Sequence, residues 1–217
     1  ERSLRETLSL IHWYDNMLLW EFRMVVKKRR AKKSEEISPE TLLASAIDQA
    51  AEAPWAEVTV WDIAHNAGGT SADFYRFFLD KSSVLLAYSE KLDEAVAAAF
   101  PDIDETSPVK ERVFDVLMER LEASNRNRAA SLSFLRSLSC DPKQALAGGP
   151  QLAESMRNML DVAKVETSGL LGLAKVAGLT LGYVWVLRTW AEDESPDLGK
   201  TMAALDQMLS RCRLVVE

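Results

Sequence analysis

Cysteine and histidine are scarce in this chain. Its 217 residues hold two of each: Cys140, Cys212, His12 and His65. Two cysteines make no disulfide framework, and they read as reduced thiols of a cytoplasmic protein. No Cys/His cluster has metal-ligand spacing, and neither histidine has an evident Ser or Cys nucleophile as partner. The residues therefore make no case for an enzyme and call for no cofactor. Strand-type alternation is scarce as well, and Pro and Gly fall between periodic segments rather than at hairpin spacing. Long apolar runs are limited to one, GLLGLAKVAGLTLGYVWVLRTW, from Gly169 to Trp190. Its length could span a bilayer. Lys175 and Arg188 interrupt it, however, and its four glycines lower helical stability. The run reads as a buried helix at a subunit interface, with Gly169, Gly172, Gly178 and Gly182 permitting close helix approach, and not as an integral membrane span.

Basic charge is also missing from most of the chain. The net charge is −7, but residues 1–33 hold nine Lys/Arg against four Asp/Glu, and the remainder carries a net −12. The positive charge is concentrated in KKRRAKK, Lys27 to Lys33. Such a block reads as a solvated arm or as a binder of phosphate, on nucleic acid or on anionic lipid. Before it, ERSLRETLSLIHWYDNMLLWEFR places Leu4, Leu8, Ile11 and Leu18 near one face and Trp13, Met17 and Trp20 on another. Two readings stand side by side. The segment is an amphipathic helix that docks on protein or membrane, or it is foreign to the protein, since Met24 opens MVVKKRRAKK like an ordinary bacterial start.

What remains is helix after helix. SPETLLASAIDQAAEAP opens with Ser38 as N-cap and Pro39 at the first helical position, and its apolar stripe is Leu42, Leu43, Ala46, Ile47 and Ala50. TVWDIAHNAGG is a short helix capped by Thr59, with Ile63 and Ala64 facing inward and Gly68 or Gly69 turning the chain. TSADFYRFF follows, capped by Thr70 or Ser71, and then a longer helix capped by Asp80. Trp55 and Trp61 flank the first turn of this array and read as packing residues. Beyond PDIDETSP the segments lengthen: about 108–123, 127–139, 150–164, 166–191 and 196–213, with CDPKQALAGGP as the loosest connection. A boundary falls near Phe100–Pro108.

Three short helices and a longer one, with a glycine turn between the second and third, form a helix-turn-helix layout. The wording over Thr41 to about Asp93 resembles the tetracycline-repressor (TetR) family. The ordered set that carries the resemblance is Thr59, Asp62, Ile63, Ala64 and Ala67-Gly68, then Phe74, Tyr75 and Phe78, then Lys81 and Val84-Leu85-Leu86. Phe74, Phe78, Ile63 and Leu85 can converge into the small core that fixes the third helix against the second. The resemblance implies that Thr70, Ser71, Ala72, Asp73, Tyr75 and Arg76 face DNA. It also implies that Thr59, Tyr75 and Lys81 lie where the family meets the duplex, the last two at phosphate. A basic arm such as Lys28, Arg29 and Arg30 often enters the minor groove in DNA-binding modules. One departure is Asp73, where the family pattern has a hydroxyl or small residue; an acid there repels phosphate unless it accepts a cytosine amino group. A second is that residues 34–93 hold eleven Asp/Glu and only Arg76, Lys81 and Lys91 as bases.

The C-terminal half is similar to the ubiquinone-biosynthesis accessory family, lipid binders with a TetR-like fold. The likeness rests on the corner Trp190-Ala191-Glu192-Asp193-Glu194-Ser195 and the closing helix through Met202, Leu205 and Leu209. Capping explains the same corner, with Ser195 as N-cap and Pro196 as the first helical residue. Met156, Met159 and Leu160, with Leu170, Leu171 and Leu173, could line a ligand cavity or fill a core. Tyr183, Trp185 and Trp190 belong to the dimer interface or to the rim of that cavity.

The expectation is an all-α, TetR-like protein. Residues 1–38 form an extension with a basic arm, 39–100 a helix-turn-helix domain, and 108–213 a helical ligand-binding and dimerisation domain. The expected role is a regulator that binds a pseudo-palindromic duplex operator as a homodimer, with a small apolar effector or lipid shifting its affinity. The alternative is a lipid- or isoprenoid-binding accessory protein that ignores DNA.

Overall fold

Each of the first four helices starts on a reciprocal cap written into the sequence three residues apart. In this computed structural model, which describes residues 37–140, 142–212 and 215 (side chains at 139–147 excepted), α1 runs Pro39–Glu52, α2 Val60–Asn66, α3 Ser71–Phe74 and α4 Lys81–Ala99. The N-cap and N3 residues are Ser38/Thr41, Thr59/Asp62, Thr70/Asp73 and Asp80/Ser83, and both halves of every capping box are present. Each box satisfies two backbone N–H groups that a helix start otherwise leaves open. This lets α2 and α3 exist at seven and four residues, well below the length at which a helix holds by itself. Between them Gly68 takes φ 83°, a left-handed value that glycine adopts without strain.

Five further helices follow: α5 Val109–Arg126, α6 Arg128–Cys140, α7 Pro142–Val162, α8 Gly169–Glu192 and α9 Gly199–Arg211. Among the described residues there are no strands. The stretch expected to be the loosest connection is helical instead, because α7 begins at Pro142 and passes through Pro150. A proline's fixed φ suits a helix, so Pro150 removes one backbone hydrogen bond from the ladder without ending it.

The described helices belong to one compact unit that starts at Ser38, and the 100–108 loop lies inside it. α1 packs on α6, while α4 packs on α5 and α7. Ser133 of α6 fastens the first of these contacts. Its hydroxyl accepts from the Trp55 N–H (2.8 Å) and donates to the Ala53 carbonyl (3.1 Å), while Phe134 meets Trp55 edge-on at 4.9 Å. One continuous apolar core joins α4 to α9. It includes Val96, Leu117, Leu121, Met156, Met159, Leu160, Leu179, Tyr183 and Leu205, all essentially inaccessible.

Charge enters this core at Arg120. The Arg120 guanidinium donates to Asp93 Oδ1 (2.9 Å), Ser89 Oγ (3.0 Å) and Tyr183 Oη (3.1 Å), and Asp93 also accepts from Ser155 Oγ (2.7 Å). The cluster ties α4, α5, α7 and α8 together. A second polar knot closes α8. Arg128 donates to the carbonyls of Trp190 (2.9 Å) and Asp193 (2.8 Å), and the Asp193 carboxylate accepts from the Thr201 N–H (2.8 Å) and hydroxyl (2.7 Å). Burial raises the Asp193 pKa, but the bonds from Ser195 and Thr201 outweigh it and hold the carboxyl far below the ordinary range.

Candidate nucleic-acid interface

The helix-turn-helix module is built as the apolar pattern expects, with one substitution in its core. Phe74, Phe78 and Ile63 are buried, and the Phe74 and Phe78 rings lie 5.4 Å apart. Val84 takes the inward position expected of Leu85, which is only partly covered. The third segment is also shorter than TSADFYRFF suggests. α3 is one turn, Ser71–Phe74, and the chain continues as turns in which the Phe77 and Phe78 N–H groups both bond to the Phe74 carbonyl.

The polar residues expected at the duplex fall into two groups. Thr59, Thr70, Asp73 and Lys81 are engaged inside the module. Thr59 gives its hydroxyl to Asp62 Oδ2 at 2.6 Å. Thr70 gives both its N–H (2.9 Å) and its hydroxyl (2.7 Å) to Asp73 Oδ2, and its oxygen takes the Asp73 N–H. Hydrogen bonds from Thr70, helped by the charge of Arg76, lower the Asp73 pKa, and Thr59 does the same for Asp62. Lys81 turns back over the Trp55 ring, 4.6 Å from its centroid, and donates to the Trp55 and Val58 carbonyls. Burial pulls its ammonium below the ordinary lysine value, with Asp62 acting in the opposite sense.

The second group points outward. Ala72, Tyr75 and Arg76 are exposed and Ser71 is half-covered. Arg76 has Asp73 Oδ1 at 3.6 Å and sits 5.4 Å from the Phe77 ring centre. Lys28, Arg29 and Arg30 lie outside the described residues.

The two tryptophans read together as packing separate sharply. Trp55 is buried, whereas Trp61 is 59% exposed and stacks on His65, 4.6 Å apart and nearly parallel. The stack follows from their i, i+4 spacing on α2, which is the one signal that could have found it. Leu79, 85% exposed, and Phe77 are also apolar and accessible in this module.

In the C-terminal half, Met156, Met159, Leu160 and Tyr183 all lie in the core, and Tyr183 carries a bond to Arg120. Trp185 is accessible instead, as are Leu170, Leu171 and Leu173. Trp185 lines an open cleft of about 280 Å³ with Arg188, Thr189, Glu192 and Lys200. Trp190 is fully buried, with Arg128 4.7 Å above its ring. Ser195 is not an N-cap at Pro196, since α9 begins at Gly199 and Asp193 supplies the carboxylate to Thr201. Two glycines of α8 make close approaches within the chain: a Cβ on Gly182 would strike the Met208 side chain of α9, and one on Gly172 would strike the Thr167 carbonyl. Among the described residues no three His, Cys, Asp or Glu gather as metal ligands.

No protein-family model and no curated protein matches the chain. Solved structures do. A TetR transcriptional regulator from Rhodococcus sp. RHA1 superposes with a TM-score of 0.64 at 20% identity, covering 79% of this chain and 93% of that one. The TetR transcriptional regulator from Nitrosomonas europaea ATCC 19718 gives 0.63 at 19%, covering 80% and 96%. The fold is TetR-like. In a TetR-like frame α2 and α3 are the helix-turn-helix pair, and α8 and α9 close the C-terminal half. α8 leaves Leu170, Leu171, Leu173, Leu181, Val184 and Trp185 exposed on its outer side, and Met202 of α9 is exposed as well. By length and composition α8 could cross a membrane; 28% of its most apolar window is buried.

Proposed function

We propose that this chain is a dimeric transcriptional regulator of the TetR type that binds duplex DNA through α2 and α3. One observation carries the reading: behind the Gly68 turn, a capped turn of helix anchored by Phe74 presents Ser71, Ala72, Tyr75 and Arg76 to solvent. A recognition segment needs that combination of a fixed backbone and free side chains. The exposed stripe of α8 supports pairing with a second copy. Ala177, Leu181, Val184 and Trp185 recur at helical spacing on its outer side, and water-facing leucines of this number mark an interface. Two copies related by a two-fold axis read a pseudo-palindrome with half-sites about one helical turn apart or more.

The basic arm Lys27–Lys33 supplies phosphate neutralisation, because the module itself has little to offer. Its outward cations are Arg76 and, far along α4, Lys91. Effector control stays with the C-terminal bundle. With Met156, Met159, Leu160 and Tyr183 packed into the core, a small apolar ligand acts by parting that core and shifting α4, which carries the module. The protein works in the cytoplasm and performs no catalysis.

Fluorescence anisotropy of the purified chain with duplex DNA tests the reading. Binding that weakens steeply with salt supports it, and removal of residues 24–33 should flatten the slope. A chain that leaves duplex unbound even at low salt overturns it. The exposed leucines of α8 favour one second reading, a lipid-binding accessory protein. Mass spectrometry of extracted protein decides for that reading if an isoprenoid or phospholipid is retained and duplex is ignored.

A further inference from the structure

Asp73 is the residue that departs most from what a DNA-facing turn calls for, and its surroundings explain its presence. Its Oδ2 is held by the Thr70 N–H and hydroxyl, so the carboxylate has a fixed position at the first turn of α3. The other oxygen, Oδ1, stands 3.6 Å from Arg76 Nη1. The Arg76 guanidinium is in turn 5.4 Å from the centre of the Phe77 ring, within the range at which a cation is drawn to an aromatic ring. The Arg76 side chain is 65% exposed, with Asp73 as its one ion-pair partner among the described residues. An exposed ion pair of this length adds little stability. Its effect is on orientation: a long side chain with many rotamers is restrained on one edge by a carboxylate that is itself pinned.

We infer that Arg76 is the specificity-determining residue of the recognition turn, held by Asp73 and Phe77 so that its free N–H groups read a guanine in each half-site. The inference rests on the DNA-binding reading above. Guanine is the match because its major-groove edge offers two acceptors, O6 and N7, which the planar fork of arginine meets with two parallel bonds. Asp73 reads no base. The oxygen that could accept a cytosine amino group is taken by Thr70, and the other faces Arg76. Asp73 is a positioning residue, and an acid is tolerated at this surface because its charge is directed into the cap and toward the guanidinium. Ala72 and Tyr75, exposed on either side of Asp73 in sequence, leave the rest of the turn for apolar contact such as a thymine methyl.

The test is selection of the full chain against a random duplex pool, with wild type, Arg76→Lys and Asp73→Asn run in parallel. Wild type should enrich a two-fold-related motif with a guanine in each half. Replacing that guanine should weaken binding roughly tenfold. Arg76→Lys keeps the charge but loses the fork. Its preference for guanine should weaken several-fold while affinity for random duplex changes by less than about threefold. Asp73→Asn keeps a carbonyl oxygen for the Thr70 cap and loses the charge that orients Arg76, so the guanine preference should weaken with the helix content by circular dichroism unchanged. A wild-type motif without guanine, or a guanine preference as strong in Arg76→Lys as in wild type, overturns the inference while leaving DNA binding in place. A wild type that enriches no duplex removes the DNA-binding reading and this inference with it.

Discussion

The two halves of this molecule use polar groups in opposite ways. At the helix starts between Ser38 and Ser83 they work locally: four capping boxes, each closing over three residues, set where these helices begin. From Val109 onward they work at long range. Arg120 reaches Asp93 and Tyr183, Arg128 reaches the end of α8, and Asp193 reaches Thr201 across a turn. The first arrangement lets very short helices stand with their outer side chains free. The second ties long helices into one core, in which, among the described residues, Arg112 Nε and Trp190 Nε1 are buried without a hydrogen-bond partner. A module that must present residues to a partner is served by the first. A bundle that must hold its shape is served by the second.

Breaking the long-range side should cost most. Arg120→Ala leaves Asp93, its side chain only 12% exposed, without its counter-charge, and the loss should be about 3–5 kcal/mol in urea unfolding. A loss below about 1 kcal/mol would mean that the cluster is incidental to the bundle. Next comes the outer side of α8. Leu181→Asp changes a residue that is 75% exposed in the single chain, so folding should persist. The dimer dissociation constant should rise by about thirtyfold or more, as for a central interface residue. Analytical ultracentrifugation checks this, and a variant that dimerises like wild type moves the interface elsewhere.

On the local side, Thr70→Ala removes one half of a capping box and should cost about 1 kcal/mol. Its mark is regional: amide exchange should speed up over 70–78 and stay unchanged in α8. Equal acceleration in both would contradict the division drawn here. The smallest effect is that of pH. Asp62 and Asp73 have folded pKa values below their unfolded ones, so their caps stabilise the module fully above the ordinary carboxylate range. That contribution fades as pH falls through the lowered values. Amide protection in α2 and α3, corrected for the intrinsic exchange rate, should therefore fall once pH drops below the ordinary carboxylate range, in step with loss of those caps.

Legibility in the sequence follows the same division. Local caps repeat as short words, Thr59-x-x-Asp62 and Thr70-x-x-Asp73, so the helix starts of the first half could be read directly, as could the inward side formed by Phe74, Phe78 and Ile63. The same words are ambiguous about role. A threonine and an acid three apart can be a cap or a DNA contact, and the spacing alone does not say that Asp73 is folded back on Thr70. Lys81 was out of reach for a different reason: its partners are carbonyls of residues 55 and 58, which no side-chain pattern encodes. In the second half helical periodicity gave the elements, but the partners of Arg120 and Arg128 lie dozens of residues away. Tyr183, an aromatic on an apolar helix, therefore looked as suited to a ligand as to an arginine. Pro150 and the glycines before it suggested a break that packing overrides.

The central claim is that the module's free side chains meet duplex DNA, and selection from a random duplex pool by the intact wild-type chain at low salt tests it most directly. Enrichment of a two-fold-related motif, with half-site centres about one helical turn or more apart, is the predicted result. Recovery of a pool indistinguishable from its input would contradict it.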